Sequence, residues 1–111
     1  PTWSRLIADA TAQIVAQCRT VDGFAFDGRD GIYHLTAGGQ ASWFDFAGEI
    51  LRLSGEQCRL RPLTTAEYPT AAERPAWSVL GCSRLQQQFG LLAPDWRVSL
   101  RQCIADMGLQ G

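Results

Sequence analysis

The stretch "GIYHLTAGGQASWFDFAGEI", Gly31 to Ile50, decides how the chain is read. "IYHL", Ile32–Leu35, has the length and composition of a short strand. "TAGGQA" is turn chemistry. Ser42 then opens an amphipathic helix, with Asp45 three residues on approximating a capping box. Trp43, Phe46, Ala47, Ile50 and Leu51 form its apolar face, and Gly55 suits its left-handed end. Strand, glycine pair and helix together outline a loop that holds phosphate at a helix N-terminus. The details argue against that use. A dinucleotide loop needs three glycines in G-x-G-x-x-G spacing. Here Gly38 and Gly39 are adjacent, and bulky Trp43 and Phe44 follow. A Walker loop needs lysine, and all ten basic residues of this chain are arginine. The glycine pair reads as a tight turn.

Working outward, "CRLRPL", Cys58–Leu63, alternates like a half-buried strand that ends near Pro62. A strand, a helix and a second strand in this order predict a βαβ unit with a parallel pair. Upstream, Leu6, Ile7, Ala10, Ile14, Val15 and Cys18 fall at helical spacing from Ser4 to Cys18, with Ser4 or Thr2 available as the cap. Thr20–Gly31, rich in glycine and aspartate, reads as loop. Thr64–Gly81 holds two prolines and little periodicity, so it reads as an extended arm. A short helix with Leu85 and Phe89 begins at Ser83. The last helix runs from about Asp95 to Met107, with Trp96, Leu100, Cys103, Ile104 and Met107 facing inward. The expected fold class is α/β: a small lobe with a two-stranded parallel sheet and about four helices.

The 111 residues suffice for one domain with a modest core. Apolar residues at 46% and charged residues at 19% indicate a soluble globular chain. A net charge of −1 gives no basic face for a nucleic acid backbone. No run reaches the ~18 apolar residues of a membrane span. The N-terminus lacks the layout of a signal peptide, and Pro1 looks like a cut point within a longer protein. Cys18, Cys58, Cys82 and Cys103 form no C-x-x-C pair and read as four buried thiols of a cytosolic protein.

Candidate chemistry is sparse. His34 is the one histidine, without a serine or cysteine at a catalytic spacing, and reads as a strand residue. Asp22, Asp27 and Asp30 lack the order of a calcium loop, and no metal site is expected. Arg74, in "AAERPAWS" with Tyr68 and Trp77 nearby, suits recognition of a planar or phosphorylated ligand. The competing role is a structural one, pinning the arm through backbone carbonyls.

Four blocks carry a resemblance: "PTWSRLIADAT", "GIYHLTAGGQASWFDFAGEI", "TTAEYPTAAERPAWSVLGCSRL" and "LLAPDWRVSLRQCIADM". In order and spacing they resemble the C-terminal part of the dTDP-4-dehydrorhamnose reductase family, extended short-chain dehydrogenase/reductases. The block from Tyr68 to Leu80 is the most specific. The family commonly has Asn where this chain has Trp77, and Asn or Asp where it has Gly81 or Cys82. The resemblance implies that residues 1–111 are a single C-terminal substrate-binding domain. It also implies a separate N-terminal Rossmann domain with the NADPH (or NADH) site and a Tyr-x-x-x-Lys dyad, a partner absent from this sequence. Tyr33 and Tyr68 are followed at the fourth position by Ala37 and Ala72, so the dyad is not in this chain, and the chain alone is expected to be inactive. The implied parent reaction reduces the 4-keto group of dTDP-4-dehydro-L-rhamnose in cytoplasmic cell-surface polysaccharide biosynthesis. Arg74 is then expected on the pyrophosphate of a dTDP-sugar nucleotide. Tyr68, Trp77, Thr2 and Trp3 are expected nearby, and Trp3 and Trp77 should report binding. No cofactor is expected on this chain itself. Some family members form homodimers bridged by Mg2+ on acidic residues, and no such cluster is visible here. The alternative is a non-catalytic regulatory or binding subunit on the same fold.

Overall fold

A computed structural model describes residues 1–109. Helix α1 spans Ser4–Cys18, α2 Trp43–Ser54, α3 Ser83–Phe89 and α4 Trp96–Asp106. Between α1 and α2 lies a hairpin of two very short strands, β1 (Arg19–Thr20) and β2 (Gly23–Phe24). The two strands pair antiparallel, Arg19 opposite Phe24 and Thr20 opposite Gly23. Thr65–Glu67 forms one 3-10 turn.

The α/β class and the four helices hold, but the parallel sheet does not. The sheet lies inside the stretch expected to be loop. Neither Ile32–Leu35 nor Cys58–Leu63 is a strand. Ile32–Leu35 keeps a strand's alternation: Ile32 and His34 are exposed, while Tyr33 and Leu35 face a core. It has no ladder partner among the described residues. Cys58–Leu63 is exposed except at Leu60, and Pro62 removes a donor that a ladder would need. What survives is one parallel bridge between Gly38 and Asp95.

Two clusters make the core. Ala37, Trp96, Leu100 and Ile104 are buried in the first, with Leu6, Phe46, Ile50 and Leu53 packed against them. Cys18, Leu85 and Phe89 are buried in the second, with Ile14, Tyr33, Leu35 and Leu91 around them. The extended segment 32–37 joins the clusters, giving Tyr33 and Leu35 to one and Ala37 to the other. Edge-to-face ring pairs consolidate both: Phe46 with Trp96 at 5.9 Å and Tyr33 with Phe89 at 5.3 Å.

Local chemistry sets the helix ends. The Ser42 hydroxyl accepts from the Asp45 N–H at 3.1 Å, and the Asp45 carboxylate accepts from the Ser42 N–H at 2.9 Å. This reciprocal box is the one the sequence suggests. Gly55, at φ +71°, ends α2 in the left-handed region. The Asp95 carboxylate accepts from the Arg97 N–H at 2.9 Å and caps α4. At α1 the expected caps are not used. Trp3 occupies the cap position without a side-chain bond, and the Thr2 hydroxyl instead accepts from the Ala37 N–H at 3.2 Å.

Several inward assignments fail for a shared reason: the helices contribute to two small clusters rather than one wide core. Ile7 and Val15 on α1 are exposed, as are Trp43 on α2 and Met107 beyond α4. Of the four cysteines, only Cys18 is fully buried, Cys58 is exposed, and all four are free thiols. The radius of gyration is 17.7 Å, against about 13 Å for a compact chain of this length. The excess comes largely from the arm, since every residue from 61 to 81 is exposed.

Candidate functional site

The glycine pair is where the opening stretch meets α4. The Gly38 N–H donates to the Pro94 carbonyl at 2.8 Å, and the Trp96 N–H donates to the Gly38 carbonyl at 3.0 Å. A Cβ on Gly39 would lie 2.6 Å from the Asp95 carboxylate, and Gly39 sits at φ +76°. A side chain there is both crowded and strained. A Cβ on Gly38 would meet the Ala93 and Pro94 carbonyls at 3.3 and 3.4 Å. The pair therefore lets the N-terminus of α4 dock, and the Gly38 N–H is committed to protein rather than to a phosphate.

That docking builds a cavity of about 350 Å³. Thr2, Trp3 and Ser4 form one wall, Phe46 another, and Trp96, Ser99, Leu100 and Cys103 of α4 the floor. Trp96 and Ser99 are each 2% exposed, and Trp96 Nε1 and Ser99 Oγ have no hydrogen-bond partner among the described residues. A buried polar group without a partner costs roughly 1–3 kcal/mol, so two on adjacent turns of one helix mark this floor as unusual. Arg5 stacks on the Trp3 ring at 5.2 Å and pairs with Asp106, tying the cavity's first wall to the end of α4. A larger concavity, about 810 Å³, runs along α1 and the hairpin. All its lining residues are exposed, and it offers no buried polar group.

Thr2 and Trp3, expected near a nucleotide, thus lie together on a cavity wall. Tyr68, Arg74 and Trp77 lie on the arm, with Tyr68 68% and Trp77 69% exposed. Arg74 makes no hydrogen bond or ion pair among the described residues. Pinning by backbone carbonyls is therefore not its role here. Arg84 makes bonds of that kind, to the segment before Tyr33 rather than to the arm. It donates to the Ile32 and Asp30 carbonyls at 3.0 and 3.1 Å and lies over the Tyr33 ring at 4.5 Å. Sequence reasoning missed Arg84 and Ser99. The signal for Arg84 was Gly31, where a Cβ would fall 2.6 Å from the Arg84 guanidinium.

Electrostatic perturbation is found at two caps and one ion pair. The Ser42 hydroxyl, then its backbone N–H, holds the Asp45 carboxyl below its usual range. The backbone N–H and hydroxyl of Thr64 do the same for Glu67 at the start of the arm. Arg52, donating to Glu49 at 2.9 and 2.6 Å, lowers the Glu49 carboxyl. No group of three or more His, Cys, Asp or Glu that could hold a metal occurs among the described residues. No described helix is long and apolar enough to cross a membrane.

Comparison with known proteins supplies the decisive observation. The family model described as "RmlD substrate binding domain" matches residues 1–109. The chain belongs to this family. Among relatives of this RmlD substrate-binding domain, a dTDP-4-dehydrorhamnose reductase of Burkholderia thailandensis is 38% identical, over 96% of the chain and 38% of the relative. A dTDP-4-dehydrorhamnose reductase of Escherichia coli K12 is 34% identical, over 96% of the chain and 36% of the relative. A probable dTDP-4,6-dihydroxy-2-methyloxan-3-one 4-ketoreductase of Streptomyces antibioticus is 40% identical, over 96% and 34%. The RmlD domain therefore spans under two-fifths of the length of these curated relatives.

Proposed function

We propose that this chain is the substrate-side lobe of a dTDP-4-dehydrorhamnose reductase and binds the sugar nucleotide. The observation that carries this reading is the match of residues 1–109 to a substrate-binding-domain family, with relatives of that name aligned over 96% of the chain. In the reaction, a hydride passes from the nicotinamide ring of NADPH to the keto carbon at C4 of the sugar. A proton passes to the keto oxygen, leaving the alcohol of dTDP-L-rhamnose and NADP+. This chain contains no lysine, which supports assigning a Tyr-x-x-x-Lys dyad, and with it the cofactor site, to a separate Rossmann domain. The lobe's part is to hold the nucleotide-sugar so that C4 faces the cofactor. Arg74, an arginine without a hydrogen bond or ion pair among the described residues, suits the diphosphate. Tyr68 and Trp77 flank it on the arm, and Thr2 and Trp3 offer a second contact region. The setting is cytoplasmic rhamnose biosynthesis.

The test is a titration of the chain with dTDP-rhamnose, followed by tryptophan fluorescence. Saturable quenching that Arg74→Ala weakens supports the reading. Turnover of NADPH by this chain alone would sink it. The Streptomyces relative favours a second reading, in which the reductase acts on a different dTDP-linked 4-keto sugar. Competition between dTDP-rhamnose and dTDP alone decides how far the sugar contributes.

A further inference from the structure

We propose that Arg84 is a positioning residue for the arm: its grip on residues 30–33 fixes how the chain leaves the body before α3, and so where Arg74 stands when the ligand arrives. The inference rests on the sugar-nucleotide reading above and adds what aims its diphosphate contact. Every residue from 61 to 81 is exposed, and among the described residues the arm's own hydrogen bonds are internal. The arm therefore takes its direction from its two roots. Arg74 lies eight residues before Cys82 and fourteen after Leu60, so the root at Cys82–Arg84 governs it more closely.

That root is fixed in orientation. The Arg84 guanidinium donates to the Ile32 carbonyl at 3.0 Å and to the Asp30 carbonyl at 3.1 Å. It also lies over the Tyr33 ring at 4.5 Å. The Thr36 hydroxyl and the Cys82 thiol share a hydrogen bond at 3.4 Å. A planar fork that spans two carbonyls and stacks on a ring sets an orientation, which a single flexible contact does not. The receiving segment is itself braced. The Tyr33 hydroxyl donates to the Arg29 carbonyl at 2.6 Å, and its ring packs edge-on against Phe89 at 5.3 Å. Gly31 supplies the slot, since a Cβ there would fall 2.6 Å from the guanidinium. Packing does not need Arg84. Leu85 and Phe89, 2% and 6% exposed, keep α3 docked, whereas Arg84 is exposed. Its bonds act on the orientation of the arm's root.

The experiment compares the wild-type chain with Arg84→Gln, Arg84→Lys and Gly31→Ala. Without ligand, heteronuclear NOEs of the Trp77 indole and of the backbone amides 76–82 read the arm's motion. They should fall in Arg84→Gln while the helical circular dichroism is unchanged. Calorimetry with dTDP-rhamnose should then show roughly tenfold weaker binding. In an Arg74→Ala background the same change should have no further effect, because Arg84 acts through Arg74. Additive losses would mean an independent role and overturn the proposal. Arg84→Lys keeps the charge but cannot span both carbonyls, so it should bind as weakly as Arg84→Gln. Full restoration by lysine would show that charge alone acts, and also overturns it. Gly31→Ala displaces the guanidinium with the arginine intact and should reproduce the loss. Unchanged arm order, or equal dTDP-rhamnose affinity in all variants, removes Arg84 while the lobe reading stands. If dTDP-rhamnose does not bind the wild type at all, the lobe reading falls and takes the role of Arg84 with it.

Discussion

Residues 64–81 and residues 83–107 follow one another in the chain and are opposite in energetics. The second stretch supplies Leu85, Phe89, Trp96, Ser99, Leu100 and Ile104 to the buried interior. The first supplies none, and its hydrogen bonds are internal, such as Thr64 to Glu67 at 2.8 Å and the Thr70 hydroxyl to the Ala72 carbonyl at 2.7 Å. Yet the arm carries the most specific block of the resemblance. Where packing does not dictate residue identity, a demanding pattern such as "EYPTAAERPAWS" points to what the segment contacts when it works. The body is constrained by folding, and under the proposed function the arm is constrained by recognition.

Substitutions that act on one region and spare the other sharpen this contrast. The largest expected effect is Trp96→Ala. It removes a 2%-exposed ring from the first cluster and should cost about 3–5 kcal/mol in urea unfolding. A loss below 1 kcal/mol would show that this cluster is not the core. Next comes Arg74→Ala, which should leave stability within about 0.5 kcal/mol while weakening dTDP-rhamnose binding by about 1.5–3 kcal/mol. Equal affinity in calorimetry would take Arg74 out of the site. Gly39→Ala introduces a Cβ against Asp95 at positive φ and should destabilise by roughly 1–3 kcal/mol, with far less effect from the same change at Gly81, where a Cβ meets nothing within 4 Å. The smallest is Ser42→Ala, about 1 kcal/mol from the lost cap.

The cap also sets a pH dependence. The Asp45 carboxyl is depressed in the folded chain by Ser42. Its contribution is therefore present above the unfolded carboxyl range and is lost as pH falls through the lower, folded value. The wild type should lose stability on acidification through that window, and Asp45→Asn should flatten this part of the profile. An identical acid limb in both proteins, measured by circular dichroism, would assign the loss to other carboxylates.

What could be read in the sequence was whatever depends on neighbours a few residues apart. The Ser42–Asp45 box, the Gly55 end, the α3 start at Ser83 and the Asp95 start of α4 are all of this kind. The irregular arm was legible for the same reason, through its prolines. Strand pairing was not, because a ladder needs a partner far along the chain, and Ile32–Leu35 alternates correctly without having one. The true hairpin hid in "TVDGFAF", where Val21 and Asp22 make a two-residue connection between strands of only two residues each. Too few residues alternate there for periodicity to register. The Trp96–Ser99 floor was equally invisible: helical spacing marks a residue as inward but says nothing about whether its polar atom finds a partner.

The bridge between Gly38 and Asp95 has a consequence for how the chain assembles and diversifies. It fastens two points separated by α2, the arm and α3, so it closes a long loop, and that closure waits until both ends are ordered. Once fastened, the excursion behaves as an insert with fixed ends. Doubling the length of such a loop costs only about 0.6 kcal/mol. The arm can therefore lengthen, shorten or change its residues at little expense to the helices, while the frame stays put.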